Sequence, residues 1–241
     1  MPVPTSDVSW WGSLIWLLVV AAASFGIAWL SGTRFQIRKG LYVPLLLAVT
    51  AGLTAGYVTW LGVDVSELIT TRWGWGLVGA VIAAALLVLP AMRQPVDRPL
   101  HGRSLSAALV WEGVVYGTTE GVLLSALPPF IAWQMVHSLD WSGTAGGVAR
   151  WALPILAAAA VIVIHHLGYW NCRNRILVPI TLGLSLLTTG FLVTASWLTP
   201  AIAHIFLHAT LLVHGSEMPP VDRPTSITAS PGKPALRRHA A

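Results

Sequence analysis

The sequence predicts an all-α bundle of membrane-spanning helices, and three observations carry that prediction. Apolar runs of about 20 residues recur along the chain, charges rarely interrupt them, and most of the charges sit in the short segments between them. Of the 241 residues, 55% are hydrophobic and 10% charged, with a mean hydropathy of +0.71. No segment outside the apolar runs is long enough to build a soluble core, so residues 1–214 read as a single transmembrane domain.

Span 1, about 12–31, leads into TRFQIRKG, where Arg34, Arg38 and Lys39 without an acid mark a cytoplasmic loop. Span 2, about 41–61, carries Gly52 and Gly56 at GxxxG spacing; Asp64 and Glu67 against Arg72 place the following loop outside. Span 3, about 74–92, ends at Arg93, Arg98 and Arg103, a cytoplasmic connection. A fourth helix starts near Ser104 and runs outward until Pro128-Pro129, which should end or sharply kink it. FIAWQMVHSLDW then reads as an interfacial or folded-back piece, and SGTAGG as a linker. Span 5 follows from about Arg150 to Gly168, span 6 covers about 176–198 and span 7 about 200–214. The result is about seven crossings, N-terminus outside and C-terminus cytoplasmic, ending in a disordered basic tail, 215–241. Trp10, Trp11, Trp29, Trp60, Trp73, Trp75, Trp141, Trp151, Trp170 and Trp197 near span ends read as an aromatic belt.

Composition excludes several functions. The net charge of +5 comes from loop residues that set orientation, with no basic patch interleaved with aromatics, so nucleic acid is not an expected partner. One cysteine, Cys172, rules out an intramolecular disulfide and a CxxC motif. The N-terminus has no Lys or Arg before its apolar run and so lacks the n-region of a signal peptide. No internal repeat of the inverted-transporter kind is apparent. Membrane lipids are the expected surroundings, in the cell membrane; the oligomeric state is not legible.

Chemistry concentrates in the later spans. Glu112, Tyr116 and Glu120 fall at i, i+4 and i+8 on one face of the fourth helix, beside a stripe of Gly113, Gly117 and Gly121 that invites close helix approach. A charged side chain in hydrocarbon costs about 2.5–3.5 kcal/mol on insertion scales, so such a residue faces a partner, a cavity or water. The plain reading of Glu120 is a neutral carboxyl bonded to Thr118, Thr119 or a histidine; Glu112, nearer the helix start, could reach water or Arg103. Span 5 ends in His165-His166, of which one can face the bundle while the other snorkels or caps the helix end. His204 and His208 lie at i, i+4 in span 7, the spacing by which two imidazoles grip one metal or one substrate group, and His214 reads as interfacial.

Glu120 followed by Ser125, then His165 or His166, then His204-Ile205-Phe206-Leu207-His208 resembles, in order and helix placement, the type II CAAX prenyl protease and bacteriocin-processing (CPBP) family. Abortive-infection proteins share its fold. That family carries EExxxR, FxxxH and HxxxN or HxxxD motifs. The likeness covers about 105–214; Gly121 stands at the second glutamate, Ser125 at the arginine, Val161 or Ile162 at the phenylalanine and His208 at the Asn or Asp. The resemblance implies a glutamate-dependent intramembrane endopeptidase acting on a lipid-modified or membrane-embedded peptide. Glu120 with His165 or His166 would activate water, and His204 and His208 would hold the oxyanion, with no metal required.

Two other readings stand beside it. A membrane lipid hydrolase or hydroxylase would use His204, His208, a span 5 histidine and Glu120 to hold zinc or iron, although HExxH is absent and the histidines are too few for a two-iron site. A catalytically degenerate relative would bind a membrane peptide or lipid, or act as a scaffold or proton relay. Depth is the difficulty: at 1.5 Å per residue Glu120 lies roughly 24 Å into its span and His165 only about 5 Å from the end of span 5. Either kinks and tilts align them, or Glu112 is the partner of His165 or His166.

Overall fold

With no water to take its backbone groups, an apolar chain in hydrocarbon satisfies them within helices. The computed structural model describes residues 8–93, 102–139 and 141–214, which form helices joined by short turns, with no strand among them. In order these are α1 (Trp10–Ala28), extended by a π-helical turn Trp29–Arg34, then α2 (Lys39–Leu61), the short α3 (Val65–Thr70) and α4 (Trp73–Ala91). There follow the long α5 (102–138), α6 (Gly143–Leu167), α7 (Leu177–Thr194) and α8 (Leu198–His214). Six helices are long and apolar enough to cross a membrane, and α8 is an apolar helix of 17 residues. The chain is an all-α polytopic bundle, and these seven stand where the seven expected spans fall. The tail 215–241 and the connection 94–101 lie outside the described residues.

The bundle is organised around α5. Its stretch Leu105–Ser138 has 34 residues, about 51 Å of α-helix against the roughly 30 Å of a bilayer core, and is the most deeply enclosed of the spans. Leu123, Leu124, Leu127, Phe130 and Ile131 are fully buried in it. Of the two outcomes expected at Pro128-Pro129, an end or a sharp kink, the helix does not end there. Both prolines lie in the first turn of the segment Leu127–Ser138, where missing N–H groups cost least, and the misfit is absorbed just before it, in the π-helical run Gly121–Ala126 and at Ala126 with φ −113°. FIAWQMVHS is therefore a core element rather than an interfacial one.

α6 also begins earlier than expected, at Gly143, so most of the predicted linker is helical. Glycine is common in membrane helices, where packing outweighs its low helix propensity. Trp11, Trp29, Trp60, Trp73, Trp75, Trp141 and Trp170 are exposed near helix ends as a belt requires, and Trp151 is exposed about two turns inside α6. Trp197 is the exception: it is buried, edge-on to Phe130 and Phe191.

Between α6 and α7 a short turn, Trp170–Cys172, tucks Cys172 inward. Burial, seconded by the charge of Glu120, pushes its thiol up to about 11. At pH 8 only about one thiol in a thousand is then the reactive thiolate. Alkylation by iodoacetamide in detergent at pH 8 is expected to be slow in the folded protein and to accelerate strongly on denaturation, as followed by mass spectrometry.

Candidate functional site

Four imidazoles converge on one carboxylate inside the bundle. Nε2 of His204 and Nε2 of His208 lie 3.2 and 3.1 Å from Glu120 Oε2, and Nε2 of His165 and Nε2 of His166 lie 3.9 and 4.0 Å from Oε1. Glu120, His165, His166 and His204 are buried, and His208 is partly so.

The glycine stripe on α5 sets this geometry. A Cβ on Gly121 would stand 2.7 Å from Pro200 O, and one on Gly117 3.0 Å from Ile205 Cα, so α8 lies against α5 at backbone distance. That contact brings His204 and His208, one turn apart on α8 and stacked with ring centroids 4.9 Å apart, onto Glu120. Glu120 itself sits in a single α-helical turn, Gly117–Glu120, between the π-helical stretches Leu109–Tyr116 and Gly121–Ala126. Such π segments are rare and frequent at functional sites.

The histidines of α6 reach the site from the other side. A Cβ on Gly168 would stand 2.7 Å from Ala28 Cβ and 2.8 Å from Trp29 N, so the end of α6 presses on the end of α1. There His165 Nδ1–H donates to Ser24 O at 3.0 Å, while His166 Nδ1–H donates to Ile162 O at 2.8 Å. Each bond fixes the tautomer and leaves Nε2 as a lone pair directed toward Glu120. The expectation that only one of the pair faces the bundle is thus corrected. Neighbours are 100° apart on a helix, and anchoring to carbonyls on different helices swings both rings to one point.

The depth difficulty disappears for a physical reason. α5 is longer than a span and begins well before the level at which α1 and α6 end, so Glu120, about halfway along it, meets His165 near the end of α6. Glu112 is not the histidines' partner. It is paired with Lys39 at the start of α2, at the partly exposed mouth of the bundle. Such a pair contributes little, so the double change Lys39→Met, Glu112→Gln should shift unfolding by about 1 kcal/mol or less in a thermal melt in detergent.

Tyr116 lies edge-on to His208, ring centroids 4.8 Å apart, and forms a wall of the site. Thr119, considered as a partner of Glu120, donates to Val115 O instead. Ser125 donates to Leu184 O on α7 and belongs to helix packing. His214 Nε2–H donates to Met92 O at the end of α4, away from the cluster.

Sequence reasoning missed Ser24, Lys39, Tyr42 and Tyr169. The Tyr42 and Tyr169 hydroxyls bond each other beside the site, and burial holds the Tyr169 phenol well above its usual range, hence neutral. Tyr169 follows His165 by one helical turn and could have been grouped with it; Ser24, acting through its carbonyl, leaves no side-chain signal. Compared with protein-family models, curated proteins and solved structures, the chain matches none of them.

Proposed function

We propose that this chain is an intramembrane hydrolase that cleaves a peptide bond in a lipid-modified or membrane-inserted peptide, in the cell membrane with its N-terminus outside. The convergence of four imidazole nitrogens on the buried carboxylate of Glu120 carries the reading. An acid with four histidines in hydrocarbon is costly to keep for packing alone. The choice of a peptide substrate rests on the resemblance of Glu120, His165, His204 and His208 to the CAAX protease motifs.

In this reading a water lies between Glu120 Oε1 and the lone pair of His165 Nε2. As its oxygen bonds to the carbonyl carbon, its proton passes to one of these acceptors, and the negative charge on the carbonyl oxygen is met on the His204 and His208 side. The C–N bond then breaks and the amine leaves with that proton. His166 Nε2 stands beside His165 as a second acceptor.

A catalytically degenerate binding or scaffold protein is the competing reading, favoured by one observation: Gly121 and Ser125, at the family's second glutamate and arginine, are used for helix packing. The deciding experiment uses the full chain in liposomes with prenylated and transmembrane peptides in water enriched in oxygen-18. Cleavage with label in the new carboxyl terminus, absent with Glu120→Gln, supports the hydrolase. Unchanged peptides, or cleavage that Glu120→Gln retains, would sink it.

A further inference from the structure

We infer that Glu120, His204 and His208 hold a divalent transition-metal ion of the zinc or iron(II) type, with His165 and His166 accepting the hydrogens of its bound water. This deepens the proposed function and rests on its reading of the cluster as the reaction centre. The donor set is that of a catalytic rather than a structural site: two imidazoles and one carboxylate, three protein ligands that leave a fourth coordination position to water.

Spacing supports an ion. Zinc lies about 2.0–2.2 Å from imidazole nitrogen or carboxylate oxygen, so two donors on one ion stand roughly 3–4 Å apart. Nε2 of His204 and of His208 are 3.2 and 3.1 Å from Glu120 Oε2, and the three donor atoms lie within 4.8 Å of one another. The i, i+4 spacing on α8 sets the two rings nearly parallel, 22° between planes, so both edges point the same way.

The second observation is independent of that triad. His165 is fully buried, its Nδ1–H is committed to Ser24 O, and its Nε2 has no hydrogen-bond partner. Nε2 of His166 is likewise left a lone pair by the bond to Ile162 O. Both face Glu120 Oε1 at 3.9 and 4.0 Å, so two imidazole lone pairs and a carboxylate oxygen meet on one side of the site. An unpaired buried acceptor costs about 1–3 kcal/mol. Water on an ion held by the triad supplies the missing donors, and the ion's charge balances the carboxylate. The ion then takes the place of direct N–H donation in meeting the substrate carbonyl oxygen, and His165 Nε2 receives the water's proton.

The test is metal analysis of the full chain, purified in detergent without a polyhistidine tag after growth with added zinc and iron. About one equivalent per chain is expected, falling at least tenfold in His208→Ala and staying near one in His165→Ala. No stoichiometric metal in the wild type, or metal retained in His208→Ala, overturns the site. If His208→Ala does not fold, chelated wild type titrated with cobalt(II) decides: a visible absorption band saturating at one equivalent supports the site, and no band overturns it. Because metal is read without substrate, this result and peptide cleavage can fail separately.

Discussion

Gly121→Glu is expected to prevent the bundle from assembling, although it writes back the second glutamate of the motif this chain resembles. A Cβ there would stand 2.7 Å from Pro200 O and 3.1 Å from His204 Cβ, and the first of these is backbone, which cannot rotate away. Overpacking of this kind costs about 1–3 kcal/mol, and a carboxyl without partners in hydrocarbon adds roughly 2.5–3.5. Together they consume a large part of the 5–15 kcal/mol that typically holds a domain. A graded series isolates the cause. Gly113→Ala meets Ala209 at an ordinary 3.8 Å and should melt like the wild type, Gly117→Ala should melt lower, and Gly121→Ala lowest of the three. A Gly121→Glu protein that melts in detergent with the wild type would mean that α5 and α8 do not touch as described.

The same helix shows what the sequence could and could not disclose. Apolar runs and loop charges locate the spans because hydrophobicity and the positive-inside bias act residue by residue. The stripe of Gly113, Gly117 and Gly121 announced a close helix contact, and Glu120, His204 and His208 stood out because ionisable groups are rare in such runs. What stayed hidden depends on how helices meet. The π-helical stretches flanking Glu120 shift the i, i+4, i+8 face, so Tyr116 lines the site while Glu112 turns to Lys39 on another helix. Proline chemistry predicted an end or a kink at Pro128-Pro129 because the rule is local; the helix continues because the preceding π-helical run takes up the misfit. The placement of both α6 histidines was illegible because it rests on a backbone carbonyl, Ser24 O, from a helix 141 residues away in sequence.

Glu120→Gln is expected to abolish hydrolysis while leaving the fold intact, and the reasons lie in the same contacts. Glutamine has the shape of glutamate, so the packing of α5 against α8 is untouched. In the metal-free protein its amide oxygen can still accept from Nε2–H of His204 and His208, at present 3.2 and 3.1 Å from Oε2. Its amide N–H would point to the Oε1 side, where His165 Nε2 has no partner, and would satisfy it. Thermal stability, compared with both proteins stripped of metal, should therefore equal or exceed that of the wild type. Activity should fall by about 10²–10⁴, the usual contribution of a positioned acid or base, because an amide neither takes a proton from water nor anchors a cation as a carboxylate does. A scaffold predicts the reverse emphasis, with binding of the membrane peptide unchanged and no turnover to lose. Loss of fold in Glu120→Gln would instead show that the charge itself holds the four histidines in place. The paired measurement of melting temperature and labelled cleavage thus separates a carboxylate kept for chemistry from one kept for assembly.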